Sequence, residues 1–281
     1  MIKINNIYDR KYAVEYDSRF LVSEYAKVSS DFELSILKKI IRPKSSWLDV
    51  GCGTGYFLSF FQNIRRIGID ISEEMLRIAK DRNHDAKFIN GDFRKVLPEM
   101  NEKWNVVSCM WTPYNYLESM NEFDFFLSQL VRVTAEGGCL FIPVVDLEDL
   151  RPHTVVDYNM YSEIHKGNVK LTSTTWTYEE DNGKIHKHLI APQIGYFIEA
   201  LNGFFEKIEV VNYPVYQEGW VSKKAILARN KNKRIGISRV VGVKPTETLK
   251  EGIAIDTNNS IRHFKTKELM FEITRRFFRF K

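Results

Sequence analysis

The sequence predicts an α/β protein. It reads as a doubly wound, mostly parallel seven-stranded sheet with an N-terminal helical lid, an inserted β-hairpin and a basic C-terminal extension. Three observations predict this. Short apolar strands alternate with helical segments from residue 46 to residue 145, the pattern of a parallel sheet covered on both faces. A glycine loop, Gly51-Cys52-Gly53-Thr54-Gly55, directly follows the first strand. An Asp181-Asn182-Gly183 turn separates two later alternating segments, a strong hairpin signal. The expected units are the lid at 1–42, the core at 43–230 with the hairpin at 165–190, and the extension at 231–281.

Each element has its own warrant. Residues 7–41 carry aromatic and aliphatic side chains at three- and four-residue spacings and read as helix, with Asp31 as an N-cap and Pro43 beyond the end. Ser46–Val50 reads as a short buried strand, and Tyr56–Asn63 opens a helix after the glycine loop. Arg66–Asp70 is the second strand, and Ser72 caps a helix over Glu73–Arg82. Ala86–Asn90 and Trp104–Met110 are the third and fourth strands. A helix at Glu122–Thr134 and a turn at Gly137-Gly138 lead into the fifth, Cys139–Val145. Val169–Glu179 and Lys184–Ile190 form the hairpin. A helix at Gln193–Asn202 and strands at Lys207–Asn212 and Lys223–Ala228 complete the core.

Composition narrows the classes. The 281 residues include 19 Phe, 13 Tyr and 5 Trp, enough to fill a large core and to exclude disorder throughout. No run approaches 18 uncharged apolar residues, so no membrane-spanning helix is expected. The first residues lack an apolar segment of the secretory type. The three cysteines at 52, 109 and 139 read as reduced thiols. A cytoplasmic protein is therefore expected. Charge is unevenly distributed: residues 1–228 hold 27 Lys/Arg against 31 Asp/Glu, and residues 229–281 hold 14 against 5.

The glycine loop carries the chemistry. Glycines there let the backbone turn sharply and let a ligand approach closely, beside the positive end of the expected helix. Asp70 ends the second strand 19 residues after Gly51, where a carboxylate can accept ribose hydroxyls. Asp92, at the end of the third strand, is placed to read an adenine edge. Asp49, two residues before the loop's first glycine, is poorly placed against a pyrophosphate. It suits a cofactor with an amino group and no phosphates.

Leu48-Asp49-Val50-Gly51-Cys52-Gly53-Thr54-Gly55 resembles motif I of the class I S-adenosylmethionine-dependent methyltransferases. Gly68-Ile69-Asp70-Ile71-Ser72 and Asn90-Gly91-Asp92-Phe93 resemble the two motifs that follow, and Gly137-Gly138 also matches. The resemblance covers residues 40–230 and implies a Rossmann-like fold with S-adenosylmethionine as cofactor. It implies that Gly51 and Gly53, with Cys52 in the same loop, line the methionine part. Asp70 would hold the ribose and Ile71 would pack on the adenine. Asp92 and Phe93 would flank the adenine amine, Met110 would sit near the cofactor, and Tyr8 and Tyr16 would close over it. The arrangement looks most like the small-molecule branch that includes sugar N,N-dimethyltransferases. Three features carry this: Ile7-Tyr8-Asp9, Met110-Trp111-Thr112-Pro113-Tyr114-Asn115-Tyr116-Leu117, and the hairpin with Lys187-His188-Leu189-Ile190. Methyl transfer to nitrogen or oxygen of a small molecule is the implied activity.

Substrate contacts are expected from Trp111–Tyr116, which leaves the fourth strand at the sheet's carboxyl edge. The segment partly resembles the Asn/Asp-Pro-Pro-Tyr motif of nucleobase and amide N-methyltransferases. However, Trp111-Thr112 replaces the polar residue that would hold a target amine. Tyr114 is one candidate catalytic residue. His188 is the other: on a regular hairpin His186 and His188 share a face opposite Thr172, Ser173 and Thr174, and histidine is the natural titrating base. His153 is a further candidate. No metal-ligand spacing is visible. The extension holds an amphipathic segment at Lys267–Phe280 with Arg275, Arg276 and Arg279. An anionic nucleic acid or membrane fits it. Docking on the acidic body or on a second subunit is favoured over both.

Overall fold

The computed structural model describes residues 8–150, 167–171, 175–214, 223–232 and 238–241. His153, Thr172–Thr174 and the Lys267–Phe280 segment lie outside the described residues.

The N-terminal region forms two helices, α1 (Arg10–Phe20) and α2 (Glu24–Ile40). Asp9 caps α1 by accepting from Tyr12 N. Ser23 is the N-cap residue of α2, so Asp31 lies inside that helix instead of starting it. The apolar stripe was continuous in sequence, but the chain breaks over residues 21–23 and folds α1 across the sheet edge.

The core follows the expected alternation. Strands β1 (Ser46–Val50), β2 (Arg65–Asp70), β3 (Lys87–Asn90) and β4 (Trp104–Ser108) are parallel. β5 (Thr134–Val144) continues them, and β1 lies between β2 and β4. The helices between them are α3 (Glu73–Arg82), α4 (Phe93–Glu99) and α5 (Met120–Val133). Ser72 caps α3 through Met75 N. α4 was not expected; it carries Pro98 in its last turn, which removes one i→i−4 bond, and the helix ends one residue later. After the glycine loop the expected helix shrinks to one short turn, Leu58–Phe60. No long helix therefore presents its positive end to the loop, and the loop's own backbone must do the work.

The inserted element is larger than a hairpin. β6 (Gly167–Leu171), β7 (Thr175–Glu180) and β8 (Ile185–Ile190) form a separate three-stranded antiparallel sheet. α6 (Ile194–Leu201) then leads to β9 (Phe205–Asn212) and β10 (Lys224–Lys231). β10 inserts antiparallel between β5 and β9. Among the described residues the main sheet has eight strands, not seven. β11 (Arg239–Val241) pairs parallel with β9 and draws residues assigned to the extension into the core.

The large core cluster packs Leu48, Val50, Ile69, Val107, Leu140 and Ile142 of the sheet against Phe123, Phe126, Leu130 and Phe197 of the helices. Fully burying side chains of this size contributes about 1.5–3 kcal/mol each. This rigid slab holds the strand ends that carry the candidate site. No helix among the described residues is long and apolar enough to cross a membrane.

Candidate active site

The loop after β1 sits at the carboxyl edge. Gly51, Gly53 and Gly55 all have positive φ, 74°, 53° and 66°, a region that side chains other than glycine rarely adopt. Their surroundings differ. A Cβ on Gly51 would lie 2.2 Å from Pro113 Cγ, so the loop after β4 packs directly on that glycine. A Cβ on Gly53 would meet nothing within 4 Å. Gly53 thus faces open space, and Gly51 serves the packing of two loops. The Cys52 side chain is buried. It fills the room left by Gly68, where a Cβ would come within 2.5 Å of Cys52 Sγ.

Asp70, at the end of β2, accepts from Gly53 N at 2.8 Å through Oδ2 and from Ser72 N at 2.9 Å through Oδ1. A carboxylate offers about four acceptor positions, so both oxygens retain capacity for ligand hydroxyls. Burial raises its pKa against those hydrogen bonds. Asp49 is buried and accepts from Ser108 Oγ at 2.6 Å; Ser108 in turn accepts from Trp47 Nε1. Burial pushes the Asp49 carboxyl up to about 7, opposed by hydrogen bonds from Ser108 and Met110 N. Met110 is buried beside them.

Asp92 is committed within its own element. It caps α4 through Arg94 N at 2.9 Å, and its carboxylate takes the Arg94 guanidinium at 2.7–3.0 Å. Burial opposes ionisation, yet Arg94 holds the carboxyl below its ordinary value. Phe93 packs on Phe126 with ring centroids 4.9 Å apart and planes tilted by 50°. Ile71 is half-buried at the mouth of the edge.

A cavity of about 240 Å³ is bounded in part by the loop after β4, the loop that packs on Gly51, while Gly51, Gly53 and Asp70 are not among its lining residues. Its walls come from α1, the loop after β4, the ends of β5 and β10, and the inserted sheet; Tyr8, Tyr16, Trp111, Asn115, Tyr116 and His186 are among the lining residues. Trp111 and Thr112 are consecutive non-glycine residues with φ of 57°. Such a pair costs about 1–3 kcal/mol per residue and persists only where surrounding contacts fix it. Those contacts are present. Trp111 Nε1 donates to Glu33 Oε2 at 3.2 Å, and Lys223 Nζ stands 4.9 Å over its ring. Tyr213 donates to the other Glu33 oxygen at 2.7 Å. Burial pushes Glu33 up to about 7 and lowers Lys223.

Four polar side chains are linked along one cavity wall. His186 Nε2 lies 2.7 Å from Glu180 Oε1, and Tyr116 Oη lies 2.6 Å from His186 Nδ1. Tyr8 Oη is 2.9 Å from Tyr116 Oη. Glu180 also accepts from Tyr12 at 2.7 Å and pairs with Arg19 at 3.0 Å. Burial opposes its charge, but the hydrogen bonds from His186 and Tyr12 hold it below the ordinary carboxylate range. A carboxylate only accepts, so Nε2 carries a proton toward Glu180; in the neutral imidazole Nδ1 is then the acceptor for the Tyr116 hydroxyl. Burial raises both Tyr8 and Tyr116 well above the usual phenol value. Tyr16 is raised in the same way, with the nearby charge of Asp70 contributing.

The two expected catalytic residues stand elsewhere. Tyr114 is fully buried, donates to Pro143 O at 3.1 Å, and does not line the cavity. It is a core tyrosine bracing the strand ends. His188 is exposed with φ of 57°, next to a register shift between Trp176 and Tyr178. That irregularity breaks the alternation, so His186 turns inward and His188 outward. His186 faces Tyr178 across the ladder. Asn115 and Tyr116 lie in the Trp111–Tyr116 segment expected to contact substrate, though with no individual role assigned; Glu180 and Glu33 were missed. Glu180 had one signal, its place across the Asp181-Asn182-Gly183 turn from His186. Glu33 is brought in by tertiary packing alone.

A methyltransferase-domain family model matches residues 48–138. An uncharacterised protein of Methanocaldococcus jannaschii is 31% identical over 161 residues, 57% of this chain and 72% of that protein. The dTDP-3-amino-3,4,6-trideoxy-alpha-D-glucopyranose N,N-dimethyltransferase of Streptomyces venezuelae is 29% identical over 48% of this chain. The match spans only 58% of that enzyme's length. Among solved structures, an S-adenosylmethionine-dependent methyltransferase from Clostridium acetobutylicum shares the fold, with a TM-score of 0.53 and 16% identity. It covers 79% of this chain and 98% of its own.

Proposed function

The chain belongs to the class I S-adenosylmethionine-dependent methyltransferases, and from that premise we propose that it transfers a methyl group to nitrogen or oxygen of a small molecule. Bound S-adenosylmethionine supplies an electrophilic methyl on a sulfonium. The described residues fit that group. Gly53 leaves open space where a ligand would lie, and Asp70 keeps acceptor capacity for ribose hydroxyls. Gly51 and Cys52 shape the loop, Asp49 is a buried carboxylate for a cationic amine, and Ile71 and Phe93 border the adenine end. Asp92 would act there as an Arg94-paired carboxylate. Met110, Tyr8 and Tyr16 close the methyl end.

The observation that carries the reading is the linked chain Glu180–His186–Tyr116–Tyr8, three of whose members line the cavity. It supports a proton relay. The acceptor's proton passes to Tyr8 Oη as Tyr8 hands its own to Tyr116 and Tyr116 hands its own to His186 Nδ1. The high phenol pKa values disfavour a free phenolate, so the transfers run together and the charge comes to rest on the imidazolium facing Glu180. The aromatic side chains of the cavity wall align the acceptor. Streptomyces enzymes named for dTDP-linked amino sugars are among the relatives, which favours a polar small-molecule substrate.

The test is incubation of the full chain with methyl-labelled S-adenosylmethionine and separate metabolite and RNA fractions. Label in the metabolite fraction is expected. Label in RNA alone would move the function to nucleic acid, and cofactor binding with no label anywhere would make the protein a binder, not an enzyme.

A further inference from the structure

Asn115 lies one residue before Tyr116 on the cavity wall and is only 2% exposed. Its amide nitrogen donates to Ile190 O on β8. That bond commits the amide nitrogen and leaves Oδ1 as the atom still to be paired. Oδ1 is buried and has no hydrogen-bond partner among the described residues. Buried polar atoms are nearly always paired, so this one marks a place for a donor from a bound molecule. A second acceptor, Asp149 Oδ2, is also unpartnered among the described residues and belongs to a residue lining the same cavity.

We infer that Asn115 is the specificity-determining residue, and that it selects an N–H donor over a hydroxyl as the methyl acceptor; this rests on the methyltransferase reading above. A neutral primary amine gives one N–H to Asn115 Oδ1 and the other to the phenol oxygen of Tyr8. Its lone pair stays free to attack. A hydroxyl has one hydrogen. It can satisfy the relay or Asn115, and whichever it leaves stays unpaired in the bound complex. A site built to pair a substrate N–H discriminates strongly against an analogue that lacks it, because its own buried group is then stranded. The sequence places no carboxamide at Trp111-Thr112, where the related motif has its polar residue. The strained turn at Trp111 and Thr112 brings one to the cavity from position 115 instead.

The test uses matched probes, benzylamine with benzyl alcohol and cyclohexylamine with cyclohexanol, and tritiated S-adenosylmethionine. In the unaltered protein each amine should take label at least about 100-fold faster than its alcohol. Asn115→Leu should cut that ratio by about tenfold or more, with S-adenosylhomocysteine affinity by calorimetry kept within about twofold, since Asn115 is outside the glycine loop. An amine is intrinsically the better nucleophile, so the fall in ratio on altering Asn115 decides the matter, and Asn115→Ala is the second variant should Asn115→Leu not fold. An alcohol labelled as fast as its amine, no label on either amine, or an unchanged ratio in a folded Asn115→Leu would overturn the inference. Failure to bind S-adenosylhomocysteine at all would instead overturn the methyltransferase reading beneath it.

Discussion

Gly51 and Gly53 stand two residues apart in one loop, and the structure gives them different tasks. Replacing each with alanine separates those tasks. Both sit at positive φ, so each alanine bears the left-handed strain of about 1–2 kcal/mol. At Gly53 the new methyl meets nothing within 4 Å, so that strain is the whole folding cost. At Gly51 the methyl would lie 2.2 Å from Pro113 Cγ and 2.6 Å from Pro113 Cβ. A proline ring cannot swing away, so the loop must shift, and overpacking adds about 1–3 kcal/mol. Gly51→Ala should therefore lose roughly 2–5 kcal/mol in urea unfolding and Gly53→Ala roughly 1–2. Calorimetry should reverse the emphasis for Gly53→Ala: its modest stability loss should accompany at least about a tenfold loss of S-adenosylhomocysteine affinity, because the methyl enters the space assigned to the ligand. Normal binding by Gly53→Ala, or a Gly51→Ala chain no less stable than Gly53→Ala, would refute the reasoning.

Other outcomes follow from the same contacts. His186→Gln and Tyr116→Phe should lower kcat by about 10²–10⁴-fold while leaving S-adenosylhomocysteine binding intact; a kcat within twofold of the unaltered enzyme would remove the relay. Asp49 is pushed up to about 7 by burial from an ordinary 3.8. Its proton is thus held more tightly in the folded chain, and stability should fall as pH rises between those values and then level off. At about 1.4 kcal/mol per pH unit the window is worth roughly 4 kcal/mol. The stability difference between the native chain and Asp49→Asn should change by that order between pH 4 and pH 8; a constant difference would contradict the burial argument. Arg19→Ala should lower activity about tenfold through Glu180, with the pH–rate profile shifted, because Arg19 pairs Glu180 at 3.0 Å without lining the cavity; an unshifted profile would deny it a positioning role.

Strands β1, β2 and β3 were legible because each is short and is ended or followed by a glycine or an aspartate that has a physical reason to be there. Asp70 and the glycine loop were legible for the same reason. The eighth strand was not, since Arg239-Val240-Val241 is only three residues and its signal comes from the β9 edge it joins. The split between α1 and α2 was hidden by an apolar stripe that runs through both. The helix after Gly55 was overread, because apolar spacing over Tyr56–Phe61 reflects packing on Trp47, not helix. His188 and Tyr114 were local inferences defeated by tertiary geometry. One register shift reversed which histidine faces inward, and one strained turn buried Tyr114 while presenting Asn115 and Tyr116.

The central claim is that the carboxyl edge formed by Gly53 and Asp70 is a cofactor seat. Titrating S-adenosylhomocysteine into the native chain and into Asp70→Ala by calorimetry tests it most directly. The account predicts saturable one-site binding by the native chain and a loss of about tenfold or more in Asp70→Ala. Equal affinity in the two proteins would contradict it.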